Sequence, residues 1–351
     1  MTGPALPRAT LAEVAARAGV SKATASKVLN GRPGVSEETR RQVHQVIREL
    51  NYTPSTGPRE ATDHGTVHVV FDTIVNMYSP HVLDGVINAG RELGVDVVTS
   101  VLAPDGVIPD RSLGVDRIKE IAVRGHTGLI VVTTQLTGEE IATCENLGLP
   151  LVVIDPVNPL DERVISIGAT NWAGGVQATR HLLGLGHTRI AFAGGAEHSV
   201  PGRERLHGYR EALETAGIVP DPTLIRRGPF TSETGAEIGG YLLGLDEVPT
   251  AIFAASDAIA VGVIQVARSR GLRIPEDLSV VGFDDTYGAM WTDPPLTTVR
   301  QPLRQMGRVA ARTLLDIADD KVPDSHHVQL ATTLVVRDST ATPSASSRRS
   351  P

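Results

Sequence analysis

The chain has 351 residues, 41% of them hydrophobic, and a formal net charge of −7, which excludes an intrinsically disordered protein and suggests two or three domains with buried cores. The sequence contains no run of eighteen apolar residues, so no membrane span is predicted. Residues 1–8 lack the apolar core of a secretory signal. The single cysteine, Cys144, excludes internal disulfides and fits a reducing, cytoplasmic environment.

Charge is distributed unevenly along the chain. Residues 1–62 carry a net charge of +4, and the remainder carries −11. A small basic segment on a larger acidic body localises attraction for DNA to the amino-terminal end. Two of the four lysines, Lys22 and Lys27, lie in this segment, and a solvated helix face is the alternative explanation for them.

Three short helices are predicted in the basic segment, with Thr10, Ser21 and Ser36 as their N-caps. Thr10 and Glu13 have the spacing of a capping box, and Gly19 can end the first helix in a tight turn. Two helices across such a turn, braced by a third, predict a helix-turn-helix whose second helix suits the DNA major groove. A purely structural three-helix bundle is the alternative.

From Thr66 the pattern changes to short apolar runs that alternate with helical segments, which predicts parallel sheets covered on both faces and an α/β fold with two Rossmann-like lobes. The predicted strands are 67–71, 95–101, 129–133, 151–155, 190–194, 251–254 and 278–283. The predicted helices are 79–93, 112–124, 138–147, 172–185, 203–216, 233–245 and 257–270. The tail from Ser339, rich in Ser, Thr, Pro and Arg, is expected to be disordered.

Enzyme signatures are missing from the sequence. No G-x-G-x-x-G follows the first strand, no Gly-Lys pair exists for a phosphate loop, and neither G-x-S-x-G nor H-E-x-x-H occurs. His326 and His327 are adjacent rather than four apart, so they lack the spacing of a helical metal site. We therefore expect no catalytic residues, no metal and no cofactor.

The sequence resembles the LacI/GalR family of bacterial transcription regulators. The headpiece resemblance covers residues 11–30, 35–40 and 50–54, and the body resembles the family's periplasmic-binding-protein-like core. The body motifs include Leu185-Gly-His-Thr-Arg-Ile190, Arg205-Leu-His-Gly-Tyr209, Ala255-Ser-Asp-Ala-Ile-Ala-Val-Gly262 and Ile274-Pro-Glu-Asp-Leu-Ser-Val-Val-Gly-Phe-Asp-Asp285.

This resemblance implies a helix-turn-helix headpiece followed by a two-lobed, Rossmann-like core of the periplasmic-binding-protein type (type I). We expect the headpiece and linker at 1–62, the core at 63–338 and the tail at 339–351. One lobe would take 66–167 and 299–329, and the other 168–298 and 330–338. The chain would cross between the lobes near 167, 298 and 330.

The linker departs from the family pattern. Many relatives insert a leucine from a short hinge helix into the minor groove, which kinks DNA by unstacking a base step. Ala61 stands where that leucine would be, and Gly57-Pro58 opposes a helix through the middle of the segment. We expect a weaker or absent wedge.

Polar side chains at strand ends predict a ligand site, because ligands of two-lobed parallel folds bind at the carboxyl ends of strands. Asp72, Asp155 and Asp284 follow strands, and Arg205 and Asp257 open helices. Carboxylates and a guanidinium suit the vicinal hydroxyls of a sugar. Helix capping or turn formation is the alternative for Asp257 and Asp284.

The resemblance implies that Arg205, Asp284 and Asp155 contact the effector, and that Ser256 stands where many relatives have an asparagine. Trp172 and Trp291 are the only tryptophans, and we expect them at the mouth of the cleft. An aromatic face there could stack on a pyranose ring. Packing beneath a loop is the alternative for each tryptophan.

Together with these residues, the resemblance implies a cytoplasmic, homodimeric repressor of carbohydrate-catabolism genes. Whether the effector releases the double-stranded operator DNA or promotes its binding does not follow from the residues, and family usage favours release by a sugar or oligosaccharide. Lys22, Ala23 and Lys27 would face base edges. Phosphate contacts are expected from Thr10, Ser21, Thr24, Ser26, Asn30, Ser36 and Thr39. A corepressor-dependent regulator of purine or central carbon metabolism remains open, as does a sugar-binding transport receptor, which would need a signal peptide and no headpiece.

Overall fold

The computed structural model describes residues 10–29, 34–50, 65–102 and 112–344. The chain divides into two compact units, Met1–His64 and Gly65–Pro351. Asn30, the linker positions 57, 58 and 61, and the end of the tail at 345–351 lie outside the described residues. Within the described ranges, no helix is long and apolar enough to cross a membrane.

The amino-terminal unit contains three helices, α1 (Leu11–Arg17), α2 (Lys22–Leu29) and α3 (Glu37–Glu49). The Thr10 hydroxyl accepts from the Glu13 backbone N–H, and the Glu13 carboxylate accepts from the Thr10 backbone N–H, which closes the predicted capping box. Apolar residues spaced by three and four positions meet in one small core. Its buried members are Val14, Ala15, Ala18, Ala25, Val28, Val43, Val46 and Ile47.

The larger unit alternates helices and strands, as the sequence predicts. Its helices are α4 (Tyr78–Leu93), α5 (Val115–Val123), α6 (Gly138–Asn146), α7 (Asn171–Gly184), α8 (Val200–Thr215), α9 (Ser232–Leu242), α10 (Asp257–Ser269), α11 (Tyr287–Trp291) and α12 (Leu303–Ala318). Its strands are β1 (Thr66–Phe71), β2 (Asp96–Val101), β3 (Gly128–Val132), β4 (Leu151–Ile154), β5 (Ile165–Ala169), β6 (Ile190–Ala193), β7 (Ile225–Arg226), β8 (Ala251–Ala254), β9 (Ser279–Asp284), β10 (Thr297–Arg300), β11 (His327–Leu330) and β12 (Thr333–Val335).

The strands form two six-stranded sheets, one in each lobe. The first sheet has the order β11-β5-β4-β3-β1-β2, and the second has the order β12-β10-β9-β8-β6-β7. Neighbouring strands run parallel except for the antiparallel pair β10 and β12. Because both sheets are covered by helices, their central strands are buried on both faces. The predicted fold class is confirmed.

The chain passes between the sheets at three points, after β5, after β10 and between β11 and β12. Thr170 and Thr332 lie on two of these connections, and their hydroxyl oxygens are 3.0 Å apart. The Thr332 backbone N–H also donates to the Thr170 hydroxyl. These hydrogen bonds hold two connecting segments side by side at the junction of the lobes.

The predicted disorder of the tail is wrong for residues 339–341. Ser339 is fully buried, and its hydroxyl donates to the Val280 carbonyl and accepts from the Thr297 backbone N–H. The Val280 N–H in turn donates to the Ser339 carbonyl, and the Ala341 N–H donates to the Ser279 hydroxyl. The polar composition of the tail predicted no core contact, but its small side chains pair with the start of β9, ahead of the point where β10 joins that strand.

We predict that Gly85→Ala destabilises the first lobe. A β-carbon at Gly85 of α4 would lie 2.0 Å from the Arg304 carbonyl oxygen of α12, so the two helices would have to separate. The expected loss is about 1–3 kcal/mol in the free energy of unfolding, measured by chemical denaturation. Gly138→Ala is the matched control because a β-carbon there meets nothing within 4 Å. Equal stabilities of the two variants would contradict this packing.

Candidate functional site

The outer face of α2 in the amino-terminal unit presents the side chains predicted to face DNA bases. Lys22, Ala23 and Lys27 are all exposed, whereas Ala25 and Val28 are buried in the helical core. Within the described residues, this arrangement places a basic helix face at the surface, as entry into a major groove requires.

Most of the residues predicted to contact phosphates belong to the helix caps. The Ser21 hydroxyl accepts from the Thr24 backbone N–H and lies 2.8 Å from the Thr24 hydroxyl. Ser36 and Thr39 repeat this arrangement at the start of α3, again with 2.8 Å between the hydroxyl oxygens. Exposed hydroxyls and free N–H groups at helix starts are typical phosphate ligands, so capping and phosphate contact are compatible.

In the second unit, Arg205 of α8 is the centre of a buried polar cluster. Its Nε donates to the Asn171 side-chain oxygen at 2.9 Å, and its Nη1 donates to the Ala255 carbonyl at 2.6 Å. Nη1 lies 3.5 Å from an Asp284 carboxylate oxygen. The guanidinium carbon is 3.8 Å from the centroid of the Phe283 ring. These contacts fix the guanidinium plane in one orientation.

Asp155, at the end of β4 in the first lobe, accepts a hydrogen bond of 2.6 Å from the Tyr78 hydroxyl. Burial raises the pKa of Asp155, and the Tyr78 hydrogen bond and the charge of Arg205 act in the opposite direction. The negative charges of Asp155 and Asp284 help to raise the pKa of Tyr78, although its burial is the largest cause. Groups of the two lobes therefore lie within electrostatic range of one another.

Asp284 ends β9 of the second lobe and adopts a positive φ of 113°. Its carboxylate accepts from the Gln301 side-chain amide at 2.6 Å. Gln301 lies on the connection between β10 and α12, and its buried side-chain oxygen has no hydrogen-bond partner among the residues that the structure describes. Burial raises the pKa of Asp284 to about 6, although the Arg205 charge opposes the shift.

Five cluster residues were not predicted from the sequence. The Tyr78 hydroxyl donates to Asp155, and the Gln301 amide donates to Asp284. The side chains of Asn171 and Glu204 hydrogen bond to each other. Phe230 places its ring centroid 5.6 Å from the Arg205 guanidinium. Asn171 directly follows the connection after β5, so its place at a strand end was a usable signal. Glu204 directly precedes the predicted Arg205, whereas Tyr78, Gln301 and Phe230 come to the site through tertiary packing.

Ser256 and Asp257 bond within the protein. The Ser256 hydroxyl accepts from the Ile259 N–H and caps α10. The buried Asp257 carboxylate accepts from the Thr286 N–H and hydroxyl and from the Thr298 hydroxyl. Burial, together with the charge of Asp284, raises the pKa of Asp257 to about 8. These contacts favour the structural alternative for Asp257, and they show that the Ser256 hydroxyl is engaged as a helix cap.

Asp72 and the two tryptophans are less closely tied to the Arg205 cluster. The Asp72 carboxylate accepts from the Thr133 hydroxyl at 2.6 Å, which joins the ends of β1 and β3. Trp172 follows Asn171 in α7 and is 46% exposed. Trp291 is 71% exposed and stacks against Tyr287, with 6.1 Å between the ring centroids. Trp172 is therefore the tryptophan that is adjacent in sequence to a residue of the cluster, Asn171.

Carboxyl groups outnumber guanidinium groups in the cluster. Asp155, Asp284 and Glu204 bring three carboxyl groups against one guanidinium, and the Gln301 oxygen adds an unpaired acceptor. Burial raises the pKa of each of these three carboxyl groups. A ligand that supplies several hydroxyl donors would satisfy these acceptors. Among the described residues, no group of three or more His, Cys, Asp or Glu side chains could hold a metal ion.

Comparison with known proteins identifies the chain. Residues 10–55 match the family described as bacterial regulatory proteins, lacI family, and residues 179–340 match a periplasmic binding protein-like domain. The HTH-type transcriptional regulator CelR of Thermobifida fusca is 35% identical over 336 residues, which cover 95% of this chain and 98% of CelR. The chain belongs to the LacI family of bacterial regulatory proteins.

Solved structures of LacI-family proteins share this fold. The transcriptional regulator CelR in complex with cellobiose superposes with a TM-score of 0.71 at 34% identity, covering 95% of this chain and 100% of that one. The lac repressor dimer bound to operator and an anti-inducer superposes with a TM-score of 0.72 at 29% identity, with the same coverage. The family resemblance found in the sequence is confirmed, and the protein is a DNA-binding transcriptional regulator.

Proposed function

We propose that this LacI-family regulator is a repressor of carbohydrate-catabolism genes that leaves its operator when a sugar or oligosaccharide occupies the Arg205 cluster between the lobes. The observation that carries the proposal is the excess of carboxyl groups over the single guanidinium in that cluster, together with the buried Gln301 side-chain oxygen that has no hydrogen-bond partner among the described residues. Sugars present many hydroxyl donors on adjacent carbons, so they match such a site. Relatives that are regulators rather than enzymes support a role without catalysis.

The solved complex of a relative favours a sugar over a purine as the effector. The relative whose solved complex contains cellobiose, CelR, is 34% identical to this chain. We therefore place β- and α-linked glucose disaccharides first among the candidate effectors.

Operator recognition would use one headpiece per subunit of a homodimer in the cytoplasm. The lac repressor, a relative, was solved as a dimer on its operator. A two-fold symmetric dimer reads a near-palindromic site, with Lys22, Ala23 and Lys27 of α2 facing base edges. The effector must bind the two lobe arrangements with unequal affinity, because only then can it change the affinity for DNA.

The test is a titration of the purified protein, measured by isothermal calorimetry and by tryptophan fluorescence. The ligands are cellobiose, maltose, their trisaccharides and, as a comparison, purine bases. We expect one sugar to bind saturably and to quench or enhance the fluorescence of Trp172. The variants Trp172→Phe and Trp291→Phe identify the responding tryptophan. Binding of a purine with no response to any sugar would contradict the proposal.

Effector affinity should depend on pH through Asp284. Its pKa of about 6 means that the carboxyl group is ionised at pH 7.5 and mostly protonated at pH 5. Sugar hydroxyls donate more strongly to a carboxylate than to a protonated carboxyl group. The affinity should therefore fall about tenfold between pH 7.5 and pH 5. In Asp284→Asn, calorimetry should show weaker binding with a flatter pH profile, and an unchanged profile would rule out Asp284 as the titrating group.

A further inference from the structure

A concave surface of the second lobe concentrates arginine side chains outside the Arg205 cluster. The cavity has a volume of about 630 Å³ and lies between the loop after β6, α8 and the segment around β7. Arg210, Arg226 and Arg227 line it, together with a single acidic residue, Glu197. The volume is within the range of sites that hold small molecules.

The positive charge in this cavity is only partly neutralised, because three arginines line it with one acidic residue, Glu197. Among the described residues, Arg210, Arg226 and Arg227 form no ion pair, whereas nearby Arg189 pairs with Asp221 at 3.4 Å. Arg210 is exposed and makes no hydrogen bond within the described ranges. A cation without a counter-ion in a concavity attracts anions from solution.

Backbone carbonyls hold two of the guanidinium groups in place. Arg227 donates from Nε to the Gly195 carbonyl at 3.0 Å and from Nη2 to the Ala196 carbonyl at 2.8 Å. Arg226 donates to the Ile225 carbonyl at 2.9 Å and lies over the Tyr241 ring. These contacts orient both groups without removing their charge, which lowers the entropy cost of binding a further acceptor.

The electrostatics agree with this geometry. Burial lowers the pKa of Arg227, and the like charges of Arg203 and Arg210 add to that effect, whereas Glu197 opposes it. An anion between the guanidinium groups would relieve their repulsion. Guanidinium groups bind phosphate and carboxylate oxygens through paired, charge-assisted hydrogen bonds.

We propose that this cavity, lined by Arg210, Arg226 and Arg227, is a second ligand site that takes a small, multiply charged anion of the phosphate or carboxylate class. A small molecule fits better than a nucleic acid because the surface is concave and the chain beyond residue 62 carries a net charge of −11. None of the residues that line this cavity is among those proposed to bind the sugar effector, although Pro229 directly precedes Phe230 of the Arg205 cluster.

The experiment titrates the full chain with inorganic tripolyphosphate, and separately with citrate, by isothermal calorimetry at constant ionic strength. We expect saturable binding of at least one of them, with one site per chain. In Arg210→Gln the affinity should fall about tenfold, as expected for loss of a hydrogen bond to a charged ligand. Arg124→Gln removes an exposed arginine from the first lobe and should leave the affinity unchanged.

Three results would overturn the proposal. The first is that neither anion binds saturably. The second is an equal loss of anion affinity in Arg210→Gln and Arg124→Gln, which would indicate that the anion is attracted by the overall charge and not by this cavity. The third is a loss of anion affinity in Lys27→Ala but not in Arg210→Gln, which would place the bound anion on the headpiece. Unfolding temperatures of all variants, which should match the parent protein, exclude misfolding as the cause.

Discussion

Arg205→Met is expected to abolish the response to effector while leaving operator binding intact. The substitution removes the donor to Asn171 and Ala255 and leaves the buried Asp284 carboxylate without its cation. Breaking a buried pair in this way costs about 3–5 kcal/mol of stability. Effector affinity should fall at least ~100-fold, measured by calorimetry, because a charge-assisted donor and the preset guanidinium plane are both lost.

Two further variants separate the role of Arg205 in binding from its role in stability. Arg205→Lys keeps the charge but loses the planar fork, so we expect partial recovery of stability with effector binding still weak. Arg189→Met is the matched control, since Arg189 of the same lobe forms partly exposed ion pairs with Asp221 and Glu247. Effector release of DNA that persists in a folded Arg205→Met protein would contradict the assignment.

Lys27→Ala is expected to weaken operator binding by about 1–3 kcal/mol and to relax sequence preference at one base pair. Lys27 is exposed on the face of α2 opposite the buried Ala25 and Val28. Removing a base-edge contact leaves non-specific binding largely unchanged, because that binding comes from phosphate contacts. Fluorescence anisotropy with the operator and with scrambled duplexes measures both quantities.

The control for Lys27→Ala is Lys119→Ala in α5 of the body. Lys119 is exposed and lies 3.5 Å from Asp116, so its removal changes the net charge by the same amount without touching the headpiece. We expect operator affinity to stay at the parent value in this control. An equal loss for operator and scrambled DNA in Lys27→Ala would identify a phosphate contact instead.

Local patterns made the headpiece and the two-lobed architecture predictable. Capping residues such as Thr10, Ser21 and Ser36 act on N–H groups three residues away, so the sequence alone reveals them. Strands β5, β7, β10, β11 and β12 were not predicted, because they are short and several mix polar with apolar residues. The helix α12 carries a clear apolar periodicity that the prediction overlooked.

The ligand cluster was predictable only in part. Carboxyl ends of parallel strands meet at one edge of a sheet, which is why Asp155 and Asp284 could be chosen from the sequence. Tyr78 reaches Asp155 across 77 positions of sequence, and Gln301 reaches Asp284 from a connection between the lobes. No local pattern encodes such contacts. The internal bonding of Asp257 likewise depends on Thr286 and Thr298, which only the folded chain brings near.

The most direct test of the central claim measures anisotropy of the purified full chain on DNA from upstream of its own gene, near 150 mM salt, with and without cellobiose or maltose. We predict sequence-specific binding to a near-palindromic site and release of that DNA by one of the sugars. Release should be absent in Arg205→Met. An absence of preference for any duplex, or operator binding that no sugar alters, would contradict the account.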